Sequence, residues 1–229
     1  VTGEPLEAGG AVETPDLDHD PRALDPDAIP AGTSVLVAGP AMTGKRRLAF
    51  EIAGASRSQN ACLVTTKAQA ERIRAWFELV VNNLDGWTLP VIDCVSRSMS
   101  FDRQPDSESV RYVSSPADLT GVGIELTGVF SDWHHANTND PRLAMHSLST
   151  FLMYADLKQV YRFLYVVTGR LRMVNGVGAY TLDTNTGSSE VLGTFKQLFD
   201  ALVEVRDGPE SAEFRVRGGE FGPRQWTEF

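Results

Sequence analysis

The chain has 229 residues, 42% of them hydrophobic, with 30 acidic against 21 basic side chains and a net charge of −9. That length holds one large α/β domain with a tail, or at most two small domains. No apolar run nears the roughly 20 residues of a membrane helix, no basic and apolar leader is visible at the start, and no long basic stripe suits nucleic acid, so a soluble cytoplasmic protein without membrane insertion or general nucleic-acid binding is expected.

Residues 1–30 are rich in Pro, Gly, Asp and Glu, with eight acids and one arginine. Such a stretch buries too little apolar surface to offset its ordering entropy. It reads as a flexible or loosely docked tail, and 31–229 as the folded domain. Strand and helix patterns then alternate. Residues 34–39 (SVLVAG) form an aliphatic strand, and 45–56 a helix with Leu48, Ile52 and Ala55 on one face. A second strand is expected at 61–66, a helix at 68–82 and a third strand at 89–95. The polar stretch 96–115 reads as an irregular excursion. Residues 116–133 form a helix, with Ser115 as N-cap, Pro116 at its first position and Asp118 in the first turn.

A fourth strand is expected at 142–147. Residues 150–168 form an apolar helix ended by Gly169. A strand at 179–183 and a helix at 187–203 follow, then edge strands or a hairpin at 212–217 and 225–229. This order predicts an α/β fold with a mainly parallel sheet flanked by helices and antiparallel edge strands at the C-terminal end. Cys62 and Cys94 each lie in an apolar strand, where core packing in a reducing compartment explains them. Only 4 of the 21 basic residues are lysine. Acid excess with so little lysine resembles the proteins of salt-loving archaea, in which dissolved salt screens self-repulsion.

The chemistry concentrates between the first strand and first helix. Gly39, Pro40, Ala41, Met42, Thr43, Gly44 and Lys45 fit the phosphate-loop spacing G-x-x-x-x-G-K in its required strand-to-helix context. The glycines permit the tight turn, backbone N–H groups face an anion, and Lys45 and the helix N-terminus add positive potential. The next position is anomalous. A working loop carries Ser or Thr there to ligate magnesium, and this chain carries Arg46 followed by Arg47. A guanidinium has no lone pair for a cation.

With that loop, residues 62–72 (CLVTTKAQAER), residues 142–152 (RLAMHSLSTFL) and the stretch 178–229, the chain resembles the RecA superfamily, in particular the KaiC-like ATPases of archaea, over residues 24–229. The resemblance implies a RecA-like P-loop domain that binds ATP. It also implies what has changed. Lys45 matches the phosphate-binding lysine, and Arg46 stands at the magnesium hydroxyl position. His146 stands where an acidic metal partner belongs, and Thr66-Lys67 where a glutamate polarises water. Each change removes an anion or a metal-coordinating oxygen, so ordinary Mg-ATP hydrolysis is not expected.

The binding residues are therefore 39–46, with no catalytic or metal residue assigned and with ATP held without magnesium, the arginines standing in for the metal's charge. Alternatively the arginines pair with acids such as Glu51. The expected role is a regulator or scaffold that contacts protein partners, itself or an intact KaiC-like paralogue. Two other readings stay open: an active ATPase using substitute groups such as Asp93, and an interaction module without ligand. The last would show the loop collapsed with Lys45 paired to a protein carboxylate.

Other candidates carry bland readings. Asp132-Trp133-His134-His135 reads as a capped helix end rather than a metal site. Phe151, Tyr154, Tyr161 and Phe163 read as core. Arg170 and Arg172 read as charges near a helix end. Ser147 and Ser149 lack a triad's partners.

Overall fold

Strands that are aliphatic at every position must be covered on both faces, which requires helices on both sides of a sheet. The computed structural model, describing residues 23–99, 106–107, 109–184 and 189–229, has this architecture. Its strands are β1 (Ser34–Gly39), β2 (Ala61–Thr65), β3 (Val91–Asp93), β4 (Val110–Tyr112), β5 (Arg142–His146), β6 (Val177–Asp183), β7 (Ala201–Asp207), β8 (Ala212–Arg217) and β9 (Thr227–Glu228). They form one sheet in the order β4-β3-β2-β5-β6-β1-β7-β8-β9. From β4 to β7 every pairing is parallel, and β7–β8 and β8–β9 are antiparallel.

The helices are α1 (Lys45–Ala53), α2 (Ala70–Val81), α3 (Ser96–Met99), α4 (Leu119–His135), α5 (Leu148–Tyr154), α6 (Leu157–Met173) and α7 (Ser189–Phe195). Strand alternation divides the core. Leu36, Ala38, Cys62 and Val64 pack with α4, α5 and α6 on one face. Val35 and Val37 pack with Leu48 and Ile52 of α1 on the other, where Leu63 meets Ile73 and Phe77 of α2. Both cysteines are buried free thiols, and burial raises the Cys62 pKa to about 12. Among the described residues no helix is long and apolar enough to cross a membrane.

Several boundaries differ from the sequence reading. The apolar stretch 150–168 is two helices, because Asp156 and Gln159 form a reciprocal capping box that starts α6 afresh. Gly169 lies inside α6, which runs on to Met173, so it does not end the helix. Helix α4 is capped by Asp118, whose carboxylate accepts from Gly121 N at 2.7 Å, rather than by Ser115. Of the expected helix 187–203, residues 187–188 lie outside the described residues, and the rest is the short α7 followed by the start of β7. The apolar spacing of Phe195, Leu198, Phe199 and Leu202 fits either period in so short a run. The excursion 96–115 contains α3 and β4, with 100–105 and 108 outside the described residues.

Residues 1–22 of the expected tail also lie outside the described residues. The rest of it is packed. Asp25 caps a short 3-10 turn (Pro26–Ala28), Ile29 is buried, and Arg142 donates to Pro26 O at 3.1 Å. Tyr154, expected in the core, is exposed, while Phe151 is fully buried and stacks edge-on with Phe163.

Candidate functional site

Parallel register brings one end of five strands to a common edge. Gly39 at the end of β1 lies opposite Asp183 at the end of β6. Thr65 at the end of β2 lies opposite both His146 of β5 and Asp93 of β3. Open α/β sheets bind ligands outside these carboxyl ends. A cavity of about 440 Å³ sits there, lined by Ala41, Thr43, Lys45, Arg46, His146 and Asp183 among others.

The loop 39–45 has the shape its glycines permit. A Cβ on Gly39 would collide with the Val205 backbone carbonyl. Gly44 has φ +81°, and a Cβ there would lie 2.9 Å from the Phe229 ring, so both backbone and packing demand glycine. Met42 occupies a left-handed conformation at φ 64° with its side chain fully in solvent, an unusual place for a bulky residue. Thr43 Oγ1 donates to Pro40 O at 2.8 Å, which folds the loop on itself.

Lys45 opens α1 and points back into the loop. Its ammonium donates to Pro40 O and pairs with Asp183 Oδ1 at 3.0 Å, and the side chain is 4% exposed. The second Asp183 oxygen pairs with Lys67 Nζ, also at 3.0 Å. One carboxylate thus bridges two ammonium groups. Burial raises the Asp183 pKa, but hydrogen bonds and charge from Lys67 and Lys45 outweigh it and hold the group below its ordinary value. Burial is also the largest influence on Lys45 and lowers its pKa, against the pull of Asp183.

The three altered positions are all engaged. Arg46 lines the cavity, with its guanidinium 3.6 Å above the Trp76 ring centroid. Arg47 pairs with Glu51 at 2.8 Å, as the alternative reading of the arginines has it. Thr66 Oγ1 is spent on backbone, accepting from Ser147 N at 2.9 Å, and Lys67 is spent on Asp183.

His146 Nδ1 lies 2.9 Å from Thr181 Oγ1. Burial, then the charges of Lys67 and Arg46, push the His146 pKa from 6.5 down to about 4, so its imidazole is neutral at pH 7. A depressed folded value means that the unfolded chain takes a proton the folded one refuses. Stability is therefore complete above the unfolded value and is lost as pH falls through the window from 6.5 to about 4. His146→Gln is expected to flatten the fall of Tm with acid across that window. Equal slopes in variant and wild type would place the acid lability elsewhere.

Asp93, weighed as a substitute acid, does not line this cavity. Its Oδ1 accepts from Val95 N and Ser96 N, at 2.7 and 2.8 Å, and its Oδ2 from Ala70 N and Ser96 Oγ, at 2.8 and 2.7 Å. Both oxygens are committed to holding the β3 end to α2 and α3. Asp132 pairs with Arg111 at 2.8 Å, and His134 and His135 are exposed in the last turn of α4. Arg170 donates to Thr127 Oγ1 and Arg172 to Asp200 at 2.8 Å. Among the described residues no group of three His, Cys, Asp or Glu side chains is placed to hold a metal. Ser149 Oγ accepts from Asp183 N at 2.7 Å, so the segment after β5 steadies the carboxylate.

Asp183, Trp76 and Phe229 are the site residues that the sequence reading did not single out. Asp183 had one usable signal, as the last residue of the strand expected at 179–183.

A family model described as "Family of unknown function (DUF7504)" matches residues 32–205. No curated protein matches the chain. Among solved structures, a KaiC-like protein of the hyperthermophilic archaeon Pyrococcus horikoshii OT3 is 14% identical, with a TM-score of 0.55, covering 88% of this chain and 83% of that one. An uncharacterized protein of Pyrococcus horikoshii, solved with an unknown peptide, is 13% identical, with a TM-score of 0.60, covering 82% and 84%. At these identities the likeness is one of fold, and the fold is RecA-like.

Proposed function

The chain belongs to the DUF7504 family, and we propose that it is a P-loop-derived regulator or scaffold that binds a nucleotide's phosphates without magnesium and does not hydrolyse them. One observation carries this reading. Among the described residues, the charged side chains lining the cavity are Lys45, Arg46, Arg47 and Lys67 against the one carboxylate of Asp183, and His146 beside them is neutral. Such a surround attracts polyphosphate and repels a divalent cation. Transfer of a phosphoryl group needs charge neutralisation by metal and a base that orients water. Here the positions that the resemblance gives to those tasks hold Arg46, His146 and Lys67. A regulator of this kind acts through protein contacts, with a second copy or an intact relative as partner.

The expected result is calorimetric binding of ATP in EDTA that added magnesium does not strengthen, with phosphate release at background. Binding that demands magnesium would defeat the proposal. A second reading, an interaction module that takes no ligand, is favoured by the pairing of Lys45 with Asp183. Silence in the same titration supports that one.

A further inference from the structure

The anion cradle already has an anion in it. The Asp183 carboxylate spans Lys45 and Lys67, 3.0 Å from each ammonium, at the mouth of a cavity of about 440 Å³. A buried lysine needs a counter-ion, which accounts for the contact with Lys45. It does not account for the contact with Lys67, whose side chain is 43% exposed and is solvated without help. Two lysines from different elements, one at the start of α1 and one after β2, converge on one carboxylate. The backbone of that carboxylate is fixed by pairing with Gly39 and by Ser149.

On the reading given under the proposed function, we propose that Asp183 is a built-in occupant of the phosphate cradle, which an incoming oxyanion must displace to reach Lys45 and Lys67. A carboxylate offers two oxygens and one charge. Pyrophosphate or a nucleotide tail offers more oxygens and more charge to the same two ammonium groups. The exchange costs no new buried charge, because Asp183 lies at the cavity rim with 21% of its side chain exposed and turns to water as the phosphate enters. Arg46 and Arg47, held by Trp76 and Glu51, keep the rim positive throughout. Binding is then weakened by the fraction of molecules in which Asp183 sits between the lysines.

The test is titration of Asp183→Asn and of the unaltered chain with pyrophosphate and with ATP, both in EDTA. Asp183→Asn is expected to bind both about tenfold more tightly or better. Equal or weaker binding by the variant overturns the gate while leaving the nucleotide reading intact. Absence of binding by both proteins overturns gate and reading together. A crystal of the unaltered chain soaked with pyrophosphate gives an answer independent of how the variant folds. Lys45 on a phosphate oxygen with Asp183 turned away supports the proposal. An intact Lys45–Asp183 contact with the anion elsewhere overturns it.

Discussion

On the proposed reading, Lys45→Met is expected to weaken ATP binding in EDTA by about 100-fold, or about 2.8 kcal/mol, with phosphate release expected at background in both proteins. The effect is large because of where the ammonium sits. Lys45 touches both the loop carbonyl of Pro40 and Asp183, and its stem is buried at the start of α1. Among the described residues Lys67 reaches only the other oxygen of Asp183, and the two arginines are engaged with Trp76 and Glu51. Asp183 keeps Lys67 as a partner in the variant, so the fold survives and the loss of binding is readable. Calorimetry measures the first half of this prediction and a phosphate-release assay the second. Turnover that vanishes with Lys45 would mean an active ATPase and would end the non-hydrolysing reading.

Asp93→Ala costs the fold about 3–5 kcal/mol. Asp93 is fully buried and takes hydrogen bonds from three backbone N–H groups and one hydroxyl, all within 2.8 Å. Alanine leaves those donors buried without acceptors, and each such group costs about 1–3 kcal/mol, partly recovered where water enters. Urea unfolding with an unchanged m-value is the measurement. The same variant separates two roles. If Asp93 were a catalytic acid, its removal would abolish turnover with little loss of stability. A drop below about 1 kcal/mol would show that the hydrogen-bond cluster around Asp93 is not what holds the β3 end.

Much of this molecule was legible before its structure. The loop 39–45 announced itself because strand, glycines, lysine and helix are consecutive in the chain. The parallel sheet was legible because strand and helix patterns alternate along the chain, an order that a parallel sheet flanked by helices explains. Strand β7 was hidden, since Leu202 and Val203 continue an apolar run that a helix fits as well as a strand does. The break between α5 and α6 was hidden for a different reason. Asp156 stops one helix by capping the next, and its signal is a single side chain inside a strongly apolar stretch. The site was half legible. Lys45, Arg46 and His146 were found by position along the chain. Asp183 acquires its role only from the register of β6 against β1, which no local pattern encodes.

That register has a further consequence for how the site tolerates change. Gly39 and Asp183 sit opposite each other at the end of one hydrogen-bonded ladder, and the spacing between them is a property of the sheet. A slip of one residue would turn Asp183 to the opposite face. Apart from Lys45 of α1 and Ser149 of α5, which touch Asp183 directly, the helical layers are free to drift in composition without altering that gap, so the stability of the domain and the grip of its internal counter-ion are tuned by largely separate sets of residues.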